Sequence, residues 1–152
     1  MGTKRVGLAR TQALIENLKR DLAMGNTALS GISKKVVSKT SDYSLTAAMS
    51  GEVHVLKGGS AVTATLPSLT AGLSYTIIVG DTSEHVITGG ASKIYYAGWF
   101  GADGASATID HHYEVSTLTL NSGGINDRIE IHCDGTNWYV NGITRFTMDA
   151  SS

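Results

Sequence analysis

The chain of 152 residues contains one cysteine, one proline and two phenylalanines, and it has no long run of apolar residues. Because Cys133 is alone, no internal disulfide can form, which suits a protein made in a reducing cytoplasm. No segment approaches the roughly 20 apolar residues that span a bilayer. The first ten residues carry charges without the apolar core of a secretory signal. We therefore expect neither export nor a membrane partner.

The motifs of common enzyme classes are also missing. There is no Gly-x-Ser-x-Gly, no phosphate-binding P-loop and no His-Glu-x-x-His. Cys133 follows His132, but neighbouring residues of a strand point to opposite faces, so the two cannot act as nucleophile and base. We expect no enzyme and no cofactor, and we interpret Cys133 as a small buried apolar residue.

Glycine is abundant, with 18 residues that separate short apolar segments. The clearest segment is a hairpin near the end of the chain. There Ile129, Ile131 and Cys133 alternate with charged or polar residues, the period of two that indicates a half-buried strand. Asp134-Gly135 is a turn signal. Trp138-Tyr139-Val140 suits a returning strand because aromatic and β-branched side chains fit a pleated surface.

Similar segments recur upstream at intervals of about 8–12 residues. We predict strands at 43–48, 52–57, 61–66, 73–79, 85–88, 93–97, 107–110 and 115–120. The glycine-rich segment 98–104, which contains Trp99 and Phe100, is predicted to be a surface loop. The pattern predicts a mainly β domain over residues 42–152, folded as a compact β-barrel, β-tulip or sandwich.

The first 41 residues differ from the rest in pattern and in charge. Apolar residues at helical spacing predict a helix over 11–24, followed by a polar linker with a possible strand at 35–39 and a boundary near Ser41. Residues 1–40 carry eight basic and two acidic side chains, so they hold +6 while the remainder holds −7. We interpret this segment as an arm that docks on an acidic surface. A solvated helix with a flexible leader is the alternative.

The residues that would make this docking contact are of two kinds. Basic side chains would meet the acidic surface, and apolar side chains of the helix would fill grooves: Lys4, Arg5, Arg10, Lys19 and Arg20, with Leu14, Ile15, Leu18 and Leu22. Nucleic acid is a weaker candidate partner, because the basic residues are interleaved with apolar ones and lack an aromatic platform.

Two further groups are candidate sites. Aromatic residues next to an acidic one have the composition of a sugar-binding surface, with core or interface packing as the alternative: Tyr95, Tyr96, Trp99, Phe100 and Asp103. Ile129, Ile131, Trp138 and Tyr139 are assigned to the core or to a subunit interface. His111 and His112 are weak candidates for a metal site shared between subunits, and a polar turn or strand end is the alternative. His54 and His85 are predicted to be half-buried strand residues.

Several of these motifs resemble those of trimeric β-domain proteins from bacteriophage virions, which include head decoration (cement) proteins, head fibres and tail fibres. The similarity covers roughly residues 52–143, and its motifs occur in the usual order: Val62–Pro67, Ala71–Thr76, His85–Gly90, Asn126–Ile131 and Asp134–Val140. Residues 1–18 resemble the start of small structural proteins of marine phages, including cyanophages. The chain departs from the pattern at Asn126, where glycine is usual, and at His132-Cys133.

This resemblance implies a homotrimer built around a three-fold axis on the virion. A receptor-binding fibre normally needs a long shaft, whereas only about 40 residues with one short helix precede this β-domain. We therefore expect a capsid decoration protein, made in the host cytoplasm, that binds the major capsid protein and stabilises the head shell. The alternative is a head-fibre or tail-fibre module that binds a glycan or receptor on the host surface.

Overall fold

A computed structural model describes residues 7, 10–16, 34–89, 93–100, 108–120, 124–144 and 148–151, with the backbone alone for 99–100, 108–113 and 148–151. The chain divides into two compact units, Met1–Ser33 and Lys34–Ser152. The second unit therefore begins at Lys34, before the boundary predicted near Ser41. The difference arises because residues 36–39, predicted as a possible strand, join a sheet.

The first unit contains a helix over residues 10–16. It begins where the backbone N–H groups of Arg10 and Thr11 donate to the carbonyl of Gly7, at 2.8 and 3.3 Å. All its side chains are exposed, including those of Leu14 and Ile15. The remainder of the helix predicted over 11–24 lies outside the described residues.

The second unit is a sandwich of two mixed sheets. The first sheet has seven strands, in the order β1 (Val36–Lys39), β3 (Val53–Leu56), β5 (Ser74–Val79), β10 (Arg128–Cys133), β11 (Trp138–Thr144), β7 (Ile94–Phe100) and β8 (Thr108–Val115). The second has five, in the order β12 (Met148–Ser151), β9 (Thr117–Leu120), β6 (His85–Thr88), β4 (Thr63–Thr65) and β2 (Tyr43–Ser44). The prediction of a mainly β fold is confirmed, and its two sheets fit the sandwich among the predicted alternatives.

The core lies between the two sheets and follows from the alternation of each strand. In β10, Ile129 and Ile131 are fully buried, and Ile131 pairs with Tyr75 on one side and Val140 on the other. The second sheet contributes a smaller set of fully buried side chains of the same kind, among them Ile87. Among the residues whose side chains the structure describes, the largest buried ones are Trp138, Tyr75 and Tyr96.

The predicted hairpin is present, and its turn shows why these residues are needed. Gly135 has φ +99°, a region that a residue without Cβ enters at no steric cost. Asp134 Oδ1 accepts hydrogen bonds from the backbone N–H of Thr136 and of Asn137, at 2.7 and 2.8 Å. The Thr136 hydroxyl donates to the same oxygen. These hydrogen bonds lower the pKa of Asp134 to about 2, and those from Thr136 contribute most.

Asn126, which replaces the usual glycine of the resembling motif, has φ +74°. That is the left-handed region, which asparagine tolerates better than most other residues with a side chain. Its N–H donates to the carbonyl of Val79 at 2.8 Å, which joins the start of the hairpin to the end of β5. The departure from the motif therefore keeps the backbone conformation that glycine would supply.

Three predictions about the strands are wrong in their bounds. The predicted loop 98–104 begins as strand, since β7 continues to Phe100, and β8 runs from Thr108 to Val115 instead of ending at 110. Gly98 is needed inside β7 because a Cβ there would collide with the backbone carbonyl of Gly142 as well as with the hydroxyl of the buried Tyr96. Strand β2 has only two residues, where a strand over 43–48 is predicted. Strand β12 is not among the predicted strands.

Candidate functional site

Few of the predicted docking residues of the arm fall within the described part of the chain. Arg10, Leu14 and Ile15 are all exposed on the helix of the first unit. A basic side chain and two large apolar ones are therefore available there for contact. The other docking residues, Lys4, Arg5, Leu18, Lys19, Arg20 and Leu22, lie outside the described residues.

The residues of the predicted sugar-binding set do not all lie on the same side of the sheet. Tyr96 is buried and faces the core, so its assignment to a contact surface is wrong. Adjacent strand residues alternate, and Tyr95 therefore lies on the outer side. There its ring stacks on that of Tyr139, its register partner in β11, with centroids 5.7 Å apart and planes 25° apart. Trp99 and Phe100 lie in β7, but their side chains and all of Asp103 are outside the described part.

The tyrosine pair is fixed by carboxylates at its two ends. The Tyr95 hydroxyl donates to Glu114 Oε1 at 3.0 Å, and the Tyr139 hydroxyl donates to Asp134 Oδ2 at 3.1 Å. Lys93 Nζ donates to Glu114 Oε2 at 2.8 Å. The hydrogen bond from Lys93 is the main cause that lowers the pKa of Glu114, followed by the one from Tyr95. The result is an ordered aromatic surface with ionised groups at its edge.

Glu114 reaches this position because of an irregularity in β8. The register between β7 and β8 shifts between Ile94 and Tyr96, and Glu114 has φ +55°. A bulge of this kind inserts an extra residue and redirects a side chain. The bulge thereby places Glu114 beside Lys93 and Tyr95, an arrangement that no periodic pattern in the sequence predicts.

The seven-strand outer face is the side of the larger sheet that faces away from the core, and it includes Tyr95 and Tyr139, although Val53 and Thr76 on it are buried. Register and alternation place these residues on it: Val36, Ser38, Val53, Val55, Ser74, Thr76, Ile78, Tyr95, Ala97, Arg128, Glu130, His132, Tyr139, Asn141 and Ile143. Ile143 is 72 % exposed, Val36 63 % and Tyr139 43 %. Arg128 and Glu130 form an ion pair at 2.8 Å in the middle of this face. A cleft of about 50 Å³ between β5 and β10 is lined by Glu130 and His132.

The five-strand outer face is the solvent side of the smaller sheet, and its composition is different. Register places on it Ser44, Thr63, Thr65, Val86, Thr88, Thr117 and Thr119. Threonines of neighbouring strands lie side by side, as Thr65, Thr88 and Thr117 do. None of the described residues on this face is an exposed large apolar side chain.

His54 is fully buried instead of half-buried as predicted. Its ring stacks on that of Tyr43, with centroids 5.4 Å apart and planes 17° apart, and Lys39 Nζ lies 4.5 Å from the centroid of the tyrosine ring. Neither ring nitrogen of His54 has a hydrogen-bond partner among the described residues, and neither does the hydroxyl of Tyr43. Glu52 Oε2 lies 3.6 Å from Nε2 of His54, while Glu52 Oε1 accepts a hydrogen bond from Lys35.

Burial controls the titration of this pair. It lowers the pKa of His54 below its ordinary value, an effect that the charge of Glu52 opposes and the charges of Lys39 and Lys35 reinforce. Burial also raises the pKa of Tyr43 far above its usual range. Both groups are therefore neutral in the folded protein at neutral pH.

His85 is also fully buried, but both of its ring nitrogens have contacts. The N–H of Val62 donates to Nδ1 at 3.2 Å, so the ring proton is on Nε2, which lies 3.2 Å from Asp81 Oδ1. Burial alone would raise the pKa of Asp81, but hydrogen bonds from the backbone of Gly59, Ser83 and Gly58 outweigh it and hold that pKa well below its usual range. This histidine ties β6 to the turn that precedes it.

The remaining candidates do not come together in the described part of the chain. Cys133 is buried in the core, whereas His132 is exposed on the opposite side of β10. In backbone register, His111 pairs with Ala97 and His112 with Tyr96, and their side chains are not described. Within the described ranges no three His, Cys, Asp or Glu side chains form a group that could hold a metal ion. No helix of the described residues is long and apolar enough to cross a membrane.

No family model matches this sequence, and no curated protein is similar to it.

Proposed function

We propose that the protein is a structural component of a bacteriophage virion, a decoration protein that binds the major capsid protein as a homotrimer and stabilises the head shell. The observation that carries the proposal is the motif of the terminal hairpin, Asp127–Val140. Its residues resemble those of trimeric virion β-domains. Here they form β10 and β11, two neighbouring strands of the larger sheet.

The arrangement of charge supports a docking role for the arm. Residues 1–33 contain five basic and two acidic side chains, a net +3, and residues 34–152 then hold −4. In the helix of this segment Arg10, Leu14 and Ile15 are all exposed and offer apolar area beside a basic group. Glu16 is exposed on the same helix and balances Arg10, so the net positive charge of the segment comes from outside residues 10–16. Such a segment fits an acidic surface with apolar grooves, which is the property that we assign to the capsid.

Stabilisation would follow from linkage and from multivalency. A ligand that binds only the expanded shell stabilises it in proportion to the logarithm of ligand concentration over Kd. Three arms on one trimer would bind with a high effective concentration, so weak single contacts would sum to a long-lived complex. The body contributes rigidity, because its core is closed by two sheets and needs no partner to bury Trp138 or Ile131.

Deletion of residues 1–30 tests the role of the arm. Every strand in the described part of the chain lies after residue 33, so the truncated protein should fold and keep the oligomeric state of the full chain. We expect it to lose binding to purified expanded capsids in a co-sedimentation assay. Binding equal to that of the full chain would contradict the arm mechanism.

A second candidate function is an adhesin, a fibre module that binds host surface glycan. The stacked rings of Tyr95 and Tyr139, with Glu114 and Asp134 at their edge, favour it, because sugar rings pack on aromatic faces and their hydroxyls donate to carboxylates. A glycan array separates the two functions. Selective binding that is lost in Tyr139→Ala or Trp99→Ala would support the adhesin, and an array without a signal would favour the capsid protein.

A further inference from the structure

His54 is fully buried at a place where both sheets end. Among the described strands, β1 pairs only with β3 and β2 only with β4, so each of the two is the edge of its sheet. In register His54 lies opposite Val37 of β1, and the ring of Tyr43 in β2 stacks on the imidazole. One continuous stretch of chain, residues 36–44, therefore supplies both neighbours, and we call it the cover segment.

The cover segment contributes no buried residue to the body. Each of residues 36–44 is exposed or half-buried, whereas the next residue, Leu45, belongs to the core. The N–H of Val53 donates to the carbonyl just before β1, and the N–H of Lys57 donates to the last carbonyl of β1, each at 2.8 Å. Short edge segments with little buried apolar area open at a low free energy. Opening of the cover segment would therefore stop at Leu45 and leave the core intact.

The surroundings of His54 suit a neutral ring and not a charged one. Neither ring nitrogen has a hydrogen-bond partner among the described residues. Glu52 Oε2 is 3.6 Å from Nε2, beyond hydrogen-bond distance, and the other oxygen of that carboxylate accepts from Lys35 at 2.7 Å. From β1, Lys39 and Lys35 act on the ring with positive charge, and its register partner in β5, Ile77, has no charge. An imidazolium here would be buried without an acceptor, which is costly.

We propose that protonation of His54 opens the cover segment and leaves the rest of the sandwich folded. In the open form the imidazolium is hydrated and lies farther from Lys39, so the proton is accommodated there and not in the closed form. Opening frees nine residues, about 30 Å of extended chain, between residues 1–33 and the body. This acid-sensitive release goes beyond the proposed function and does not depend on it, because every contact involved lies within residues 34–152.

The direction of the pH dependence follows from the charges around the ring. Burial lowers the pKa of His54 in the closed form, the charge of Glu52 opposes this, and the charges of Lys39 and Lys35 reinforce it. In the open form the ring regains its ordinary pKa of 6.5. The closed form is therefore fully stable above pH 6.5, and its stability relative to the open form declines as pH falls from 6.5 towards the closed-form pKa.

Amide hydrogen exchange in the full-length protein tests the release at pH 7 and pH 5, after correction for the intrinsic exchange rate at each pH. The amides of Val53 and Lys57 are the reporters, because both donate to β1 from outside the cover segment. We expect their protection to fall by about tenfold from pH 7 to pH 5 in the wild type. The amides of β10, in the middle of the same sheet, should keep their protection.

His54→Phe keeps a ring that can stack on Tyr43 and removes the titrating group. We expect equal protection of the two reporters at both pH values in this variant. His132→Gln is the matched control, since His132 is exposed on the other side of the sheet, and it should behave as the wild type. Should His54→Phe fail to fold, Lys39→Gln removes a charge that opposes the imidazolium, and the fall in protection should be smaller than in the wild type.

Three results would overturn the proposal. Reporter protection in the wild type that is unchanged or higher at pH 5 would show that Glu52 turns to His54 and neutralises the imidazolium in the closed form. An equal loss of protection in β10 would show unfolding of the whole body instead of release of one segment. A fall in protection that persists in His54→Phe would assign the acid response to another group. None of these results bears on capsid binding, which the deletion of residues 1–30 tests separately.

Discussion

The two outer faces of the sandwich are built from the same kind of strand but expose different chemistry. On the five-strand outer face the β-branched positions are nearly all threonine, with Thr65, Thr88 and Thr117 side by side. On the seven-strand outer face the corresponding positions hold Val36, Tyr139 and Ile143 as well as paired charges. Threonine and isoleucine satisfy the backbone of a strand equally well. They differ in polarity, and therefore in whether their exposed side chains are well solvated by water.

A threonine face can stay in water, because each hydroxyl is a donor and an acceptor for solvent. An isoleucine face in the same place keeps apolar area exposed until another surface covers it. The five-strand outer face is therefore suited to water, whereas Val36, Tyr139 and Ile143 leave apolar area uncovered on the seven-strand outer face. The inner faces provide the reference, since the residues there are buried whether or not a partner is present.

The largest expected effect is the difference in stability loss between a residue on the inner face and its neighbour on the outer face. Trp138→Ala removes a fully buried indole, and we expect it to reduce the free energy of unfolding by about 3–5 kcal/mol. Tyr139→Ala removes a stacked but exposed ring and should cost only about 1 kcal/mol in the monomer. Urea unfolding at several protein concentrations measures both and separates any contribution from association. Equal losses would contradict the assignment of inner and outer faces.

A smaller loss is expected from Gly142→Ala in β11. A Cβ at Gly142 would collide with the backbone carbonyl of Arg128 and with Ile129, neither of which can rotate away. We expect a cost of about 1–3 kcal/mol, as for overpacked cores. The adjacent variant Asn141→Ala, on the exposed side, is the control and should stay within about 0.5 kcal/mol of wild type. A Gly142→Ala protein as stable as that control would show that the strands adjust freely.

The buried histidine predicts a dependence of stability on pH. The unfolded chain takes up a proton at His54 near pH 6.5, whereas burial lowers the pKa of His54 in the folded protein. The contribution of His54 is therefore full above pH 6.5 and declines as pH falls from 6.5 towards the folded pKa. Replacement by phenylalanine, which preserves stacking on Tyr43, should flatten the profile of unfolding free energy between pH 7 and 5. His132→Gln on the outer side is the control, and an unchanged slope in His54→Phe would refute the assignment.

The smallest effect on stability is expected from a substitution on the five-strand outer face. Thr65→Val keeps the shape of the side chain and removes only a hydroxyl that faces water. We expect a change in unfolding free energy within about 0.5 kcal/mol and no change in the mass of the oligomer. A new, larger assembly would show that this face associates once it is made apolar. A loss of the oligomer would show that Thr65 lies in a subunit interface.

Patterns of period two predicted the fold class and the terminal hairpin, because Ile129, Ile131 and Trp138 have few alternatives to burial. They did not predict which of Tyr95 and Tyr96 faces inwards, since both neighbours are aromatic and only the pairing with β11 fixes the phase. Nor did they predict that β1 and β3 run parallel to β5, because parallel pairing joins segments distant in sequence. The bulge that brings Glu114 to Tyr95 has no sequence signal of its own.

The decoration role is tested most directly by an electron-microscopy map of the virion in which the protein is located by an antibody or a fused tag. The account predicts density for three copies around local or true three-fold positions on the outside of the head. The arms should contact the capsid. Density confined to the end of a tail, with none on the head, would contradict it.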